Sequence, residues 1–146
     1  MKITYSNAKE YVLTADDDTF LGSLKYENWS YTKAEITTQF GEFFHIRPQG
    51  FWGTSIGISK GDAEYATLKM NWKGNVVIDL LENGVGTDYL LKLNSMWKSQ
   101  YALVNRQEKE ILILVPDYKW KKGHYDFKID VNPDFADSVD EALATY

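Results

Sequence analysis

The sequence predicts an all-β fold: an antiparallel barrel of about twelve strands, closed on itself, with one C-terminal helix. Three observations carry this. Short segments of period-two alternation, rich in β-branched and aromatic residues, run through nearly the whole chain. Turn residues break them at spacings of 8–12 residues, the interval of a sandwich or barrel. A pattern also repeats with an offset of 45 residues, so the strands group into three units of about four. Three such units are too few for a propeller, which has about four to eight blades. One closed barrel is the better arrangement, and the absence of strand–helix alternation argues against a parallel α/β sheet.

Strands are expected near 2–5, 10–14, 20–26, 33–39, 42–47, 53–59, 64–71, 74–81, 87–93, 98–104, 110–115 and 123–131. Tyr89, Leu91 and Leu93 alternate with their neighbours, as do Ile111, Ile113 and Val115, and Tyr125, Phe127, Ile129 and Val131. Between strands lie Asp16-Asp17-Asp18, Lys60-Gly61-Asp62, Lys73-Gly74-Asn75, Glu82-Asn83-Gly84, Asn105-Arg106-Gln107 and Lys122-Gly123. Gly, Asn and Asp are the residues that tolerate the backbone angles of tight turns. The repeat aligns Phe44-His45-Ile46 and Phe51-Trp52 with Tyr89-Leu90-Leu91 and Met96-Trp97. A second tryptophan series, Trp29, Trp72 and Trp120, recurs at steps of 43 and 48. Recurrence with the fold makes packing in the core or a turn the expected role of these three.

A barrel of about eight strands is just filled by its own side chains; at twelve there is volume for a helix, a plug or a ligand. The helix candidate is residues 134–146, with Phe135, Val139, Ala142, Leu143 and Tyr146 on one stripe and Asp137, Asp140 and Glu141 opposite. A polar face of that kind suits a barrel rim.

Composition narrows the function classes. A chain of 146 residues folds into about 7,600 Å² of surface from about 24,000 Å², enough burial for a single domain over 1–146. There is no cysteine, which removes disulfide scaffolds, zinc fingers, iron–sulfur clusters and thiol catalysis. No run of 18 apolar residues and no basic-then-apolar leader is present, so a cytoplasmic or membrane-peripheral protein without a transmembrane segment is expected. The formal charge of −5 is uneven: −3 over residues 1–67, +2 over 68–131 and −4 over 132–146. A sequence pI near 5.0 argues against duplex nucleic acid as partner.

Four motifs in order carry a family resemblance: Gly50-Phe51-Trp52-Gly53-Thr54, Met70-Asn71-Trp72-Lys73-Gly74-Asn75, Met96-Trp97-Lys98-Ser99 and Pro116-Asp117-Tyr118-Lys119-Trp120-Lys121-Lys122. Over residues 20–131 the chain resembles small bacterial members of the tubby C-terminal superfamily, which also holds the LURP-one-related proteins and the phospholipid scramblases. The resemblance implies a twelve-stranded barrel around a C-terminal hydrophobic helix, and, by analogy with tubby domains, basic residues that hold phosphoinositide head groups. The family's helix is mostly apolar, whereas the sequence here reaches Tyr146 after about three turns. A shortened or truncated helix is therefore expected.

The candidate ligand-binding residues are Lys119, Trp120, Lys121 and Lys122, extended by Lys69 and Lys73 of the preceding unit. Ammonium groups around an indole suit an anionic head group at an interface. Lys33, Arg47 and Lys98 are further candidates for the same patch. The plain alternative is a solvated turn with its tryptophan packed inward. Asp16-Asp17-Asp18 lacks the spacing and closing Glu of a calcium loop. His45 and His124, the only histidines, have no spaced carboxylate or third ligand, so no metal site is expected. Catalytic motifs are absent, and Asp79 and Asp130, at roughly equivalent repeat positions, suit a structural role. The sequence therefore points to a non-catalytic binding or scaffold module without a cofactor, whose partner is an anionic phospholipid head group or small acidic ligand. The alternative is a protein–protein interaction module using exposed aromatics.

Overall fold

A computed structural model of the chain describes residues 1–6, 9–27, 33–50, 54–82, 85–95, 99–118 and 125–135. Twelve antiparallel strands form a closed barrel in which every strand pairs with its neighbours in sequence. They are β1 (Lys2–Ser6), β2 (Glu10–Thr14), β3 (Phe20–Tyr26), β4 (Ala34–Thr38), β5 (Phe43–Gln49), β6 (Ser55–Lys60), β7 (Ala63–Met70), β8 (Val76–Glu82), β9 (Val85–Ser95), β10 (Gln100–Val104), β11 (Glu110–Tyr118) and β12 (Tyr125–Val131). The 45-residue offset corresponds to four strands, since it carries β5–β6 onto β9–β10. The only helical element among the described residues is a single 3-10 turn, Pro133–Phe135. The rest of the expected helix, 136–146, lies outside the described residues, as does the Asn83-Gly84 turn.

The alternation seen in the sequence becomes the two faces of the barrel. Ile3, Leu13, Leu24, Ile36, Leu114 and Phe127 come from six strands that follow one another around the ring, and they line one cavity. Only a concave face can do that, so this parity points inward. The other parity carries Lys2, Lys25, Glu35, Lys69, Asp117 and Lys128. The same outward parity also carries apolar residues, among them Val12, Val77, Leu90, Ile113 and Val115. Among the described residues no helix is long and apolar enough to cross a membrane.

Strand β11 runs beyond its expected end, through Pro116, and β5 contains Pro48. Proline lacks an N–H and is confined to edges of sheets. Both sit where the strand has one described neighbour. The described β10–β11 ladder reaches Tyr101↔Leu114 and the described β4–β5 ladder Ala34↔Ile46, so each proline keeps one described register partner, Phe127 for Pro116 and Ile56 for Pro48.

One five-residue loop recurs at four hairpins. At Ala15–Thr19, Thr38–Glu42, Asn71–Asn75 and Asn105–Lys109 the first and fifth residues exchange a backbone bond of 2.8–3.0 Å. The fourth residue has positive φ: Asp18 (66°), Gly41 (77°), Gly74 (79°) and Glu108 (58°). Side chains lock the loop. Asn71 Oδ1 accepts from the amides of Lys73 and Asn75, both at 3.0 Å, and Asn105 Oδ1 accepts likewise from Gln107 and Lys109. Asp16-Asp17-Asp18 is thus a hairpin turn, with Asp17 Oδ1 accepting from the Thr19 amide at 3.0 Å.

The seam where β1 meets β12 is the shortest ladder. It has two register pairs, Lys2↔Lys128 and Ile3↔Phe127, against seven between β11 and β12. Two lysines directly opposite repel. The acidic turn relieves this: Asp18 pairs with Lys2, and Asp16 lies 2.6 Å from the N-terminal ammonium. Beyond the ladder, Asp126 Oδ1 accepts from the Tyr5 amide at 2.9 Å, and Ile129 donates to the Met1 carbonyl at 2.9 Å.

Two outcomes are expected at the seam. Asp126→Ala leaves the Tyr5 amide without that acceptor, a loss of about 1–3 kcal/mol; amide exchange in β1 and β12 rises before that in β5–β8, and equal protection throughout would contradict the seam's role. The N-terminal ammonium, bonded to Asp16, holds that carboxyl below its ordinary value of 3.8. A lowered folded-state value means the contribution is complete above 3.8 and is lost as pH falls through the lower value. Asp16→Asn therefore flattens the acid limb of thermal midpoint against pH, while leaving the slope above neutral pH as in the parent chain.

Candidate binding face at one end of the barrel

Because the strands alternate in direction, alternate connections share an end of the barrel. Residues 7–9, 27–33, 50–54, 71–75, 96–99 and 119–124 make the connections at one end. In sequence these six stretches carry all five tryptophans and seven lysines against one carboxylate, Glu27. The connections at the other end, 15–19, 39–42, 61–62, 83–84 and 105–109, together with 132–135 after β12, carry seven carboxylates against Arg106 and Lys109. Charge is thus segregated along the barrel axis although the chain as a whole is acidic.

Of the expected ligand-binding residues, the structure describes Lys69 and Lys73. Lys69 projects outward from β7 near its end, and Lys73 sits in the β7–β8 loop beside it. The two therefore share a corner of the lysine-bearing end. Lys119, Trp120, Lys121 and Lys122 lie outside the described residues, as do Trp29, Trp52, Trp97, Lys98 and His124. The β11–β12 connection that carries Lys119–Lys122 leaves from the same end, two connections along the ring.

Trp72, expected to pack in the core or a turn, sits in a turn and does not pack there. It is 90% exposed. The reason is local: Trp72 takes the second position of the Asn71–Asn75 loop, whose counterparts are Asp16, Gln39 and Arg106, all exposed. At this position the side chain leaves the turn away from both strands. Lys73 Nζ lies 5.2 Å from the centre of the Trp72 ring, a cation–π arrangement. Met70 is 70% exposed beside them. The corner thus offers an indole, a thioether and two ammonium groups to solvent. It can insert apolar groups at an interface while the lysines meet anions.

Further along the outer face the structure joins groups that are distant in sequence. Glu35 and His45 are register partners across β4 and β5, and Glu27 closes on them so that one ligand atom of each lies within 4.8 Å of the others. His45 Nδ1 is 3.8 Å from Glu35 Oε2, too long for a hydrogen bond. Arg47 donates to Glu27 at 2.8 Å and to the Ala34 and Ile46 carbonyls, so Glu27 is already engaged. Arg47 is thereby tied to this network, on the β5 wall. Spacing along the chain hides the cluster; the hairpin register of β4–β5 would have revealed its Glu35–His45 pair.

The acids that repeat in sequence do not meet. Asp79 on β8 faces Asp88 on β9, whereas Asp130 on β12 faces Ile113. Arg106 donates twice to Asp88 Oδ2, at 2.7 and 3.1 Å, which offsets the like-charge pair. At the acidic end a mixed cavity of about 860 Å³ is lined by Met1, Asp16, Phe40, Lys128 and Asp130 among others. Its charged groups include the N-terminal ammonium and Asp16, which already pair.

The corner makes a separable prediction. Trp72→Ala leaves the thermal midpoint unchanged within about 2 °C, since surface changes away from structural features stay within about ±0.5 kcal/mol. Asn71→Ala, which removes both Oδ1 acceptors, lowers it by several degrees, at about 1 kcal/mol per lost bond. A Trp72→Ala chain that melts as early as Asn71→Ala would show the indole to be packed in solution. In comparison with known proteins, the chain matches no family model, no curated protein and no solved structure.

Proposed function

We propose that this protein is a non-catalytic binding module of the tubby-like kind that docks end-on to anionic phospholipid head groups. The observation that supports this reading most is the axial segregation of charge, with Trp72 and Met70 exposed at the lysine-bearing end. A chain of net charge −5 is repelled by an anionic surface in most orientations. End-on approach leads with the connections whose sequence holds seven lysines, Lys9, Lys33 and Lys73 of them among the described residues, and keeps the acidic connections far from the surface. Near an anionic membrane each lysine contributes about 1 kcal/mol, and the effect fades within a Debye length of about 8 Å at physiological salt. The indole then sits at the depth where amphipathic rings are stable.

The test is sedimentation with vesicles of graded phosphoinositide content at two salt concentrations. Salt-sensitive binding that tracks anionic lipid is expected. The triple variant Lys119→Glu, Lys121→Glu and Lys122→Glu weakens partition by roughly a hundredfold, at about 1 kcal/mol per lysine. Trp72→Ala weakens it several-fold without a change in fold. Binding that persists unchanged in the triple variant removes that turn from the site, and no binding at low salt removes the lipid reading.

A second reading rests on the opposite end. Phe20, Phe40 and Phe43, exposed at 43%, 58% and 52%, sit at the start of β3, in the β4–β5 turn and at the start of β5. Exposed aromatics gathered in this way suit a protein–protein contact. Loss of a co-purifying partner on Phe40→Ser, with vesicle binding retained, would favour it.

A further inference from the structure

We propose that the barrel lumen is a binding site for an unbranched fatty acyl chain, distinct from the head-group face and independent of it. The inner parity is apolar around the ring, and the cavity bounded by Ile3, Leu13, Leu24, Ile36, Leu114 and Phe127 measures about 390 Å³. That is within the usual range of small-molecule sites, roughly 300–1,000 Å³. Eight-stranded barrels already hold one small ligand in some families, and twelve strands enclose more.

The chemistry of the walls selects the ligand. The cavity is bordered almost wholly by hydrocarbon, so a ligand rich in hydrogen-bonding groups would lose its water partners without replacement. The Thr38 hydroxyl at its border already accepts from the Glu42 amide at 3.3 Å. The shape is long: along β3 the lining runs from Gly22 to Tyr26, four residues or about 13 Å. At the Tyr26 end it meets Tyr11, edge-on to Tyr26 at 6.3 Å and to Tyr5 at 5.1 Å, which makes an aromatic wall. At the other end position 22 carries no side chain, since a Cβ added to Gly22 would lie 2.9 Å from the Thr37 carbonyl oxygen. No large side chain among the described residues is fully buried. Inward-facing Ile56, Leu93 and Tyr101 remain 38%, 46% and 40% exposed, so hydrocarbon surface remains to be covered. A flexible acyl chain covers such a surface, and its polar end stays in water at a mouth of the barrel.

The test uses the full chain without vesicles. Octanoic, decanoic and dodecanoic acids are titrated by calorimetry below their micelle concentrations, and stoichiometry is read by native mass spectrometry. One-to-one binding is expected, tightening about fourfold per methylene until the cavity is full. Lysophosphatidylcholine with a dodecanoyl chain is the parallel arm. Whichever of the two dodecanoyl ligands binds more tightly identifies a free acid or a phospholipid as the source. Ile36→Trp narrows the cavity and weakens dodecanoate at least tenfold, whereas Lys25→Trp, exposed on the outward parity and outside the lining, leaves it unchanged. Should Ile36→Trp not fold, the methylene series on the parent chain still decides. Absence of saturable binding by every ligand overturns the proposal in favour of the lumen occupant that the family resemblance implies, the apolar stripe of residues 134–146; an affinity independent of chain length overturns it as well. Charge reversal at Lys119, Lys121 and Lys122 leaves this binding intact, so failure of the lumen site and failure of the head-group face are read separately.

Discussion

Closure of β1 onto β12 is the constraint on which the rest of the structure depends. A sheet of twelve sequential strands left open would expose two edges to other chains. Closing it removes both edges, and it also creates an inside. Yet the closing ladder has two register pairs, and its first sets Lys2 against Lys128. The seam holds because local chemistry surrounds it. Asp18 neutralises Lys2, Asp16 takes the N-terminal ammonium, and Asp126 captures the Tyr5 amide where the ladder has ended. The acidic triplet at 16–18 is thus a hairpin turn that also serves the seam, built from residues at opposite ends of the chain.

Closure with an even number of strands in simple up-and-down order has a second consequence. Every connection is assigned to one end or the other by its order in the chain. The tryptophan and lysine stretches all run from an odd-numbered strand to an even-numbered one, and the acidic turns from even to odd. An axial charge separation follows from topology without any long-range contact. Turn geometry then decides what each connection displays. In the Asn71–Asn75 loop, asparagine bonds fix the backbone so that the second residue leaves the strands, and Trp72 is displayed to solvent.

Much of the fold was legible in the sequence. All twelve strands are found where alternation and turn residues place them, with β9 and β11 longer than expected. The extension of β11 through Pro116 could not be read locally, because it depends on where β10 stops. Less of the site was legible. Lys69 and Lys73 lie near the end of β7 and in the loop after it, and the rest of the expected patch, Lys119 to Lys122, is outside the described residues. The packing in core or turn expected of Trp72 fails although the turn is there, because recurrence marks a position in the fold without saying which way a side chain points. The meeting of Glu27, Glu35 and His45 was hidden because register, a pairing property, brings them together.

By itself the sequence determined the local events: strands from period-two alternation, turns from Gly, Asn and Asp, and the four-strand unit from the 45-residue repeat. Those depend on residues within one hairpin of each other. Only the tertiary structure decided which parity faces inward, how the seam is held, and which connections share an end. Each of these is a property of closure. Closure depends on the pairing of residues more than a hundred positions apart, and no local pattern encodes that pairing.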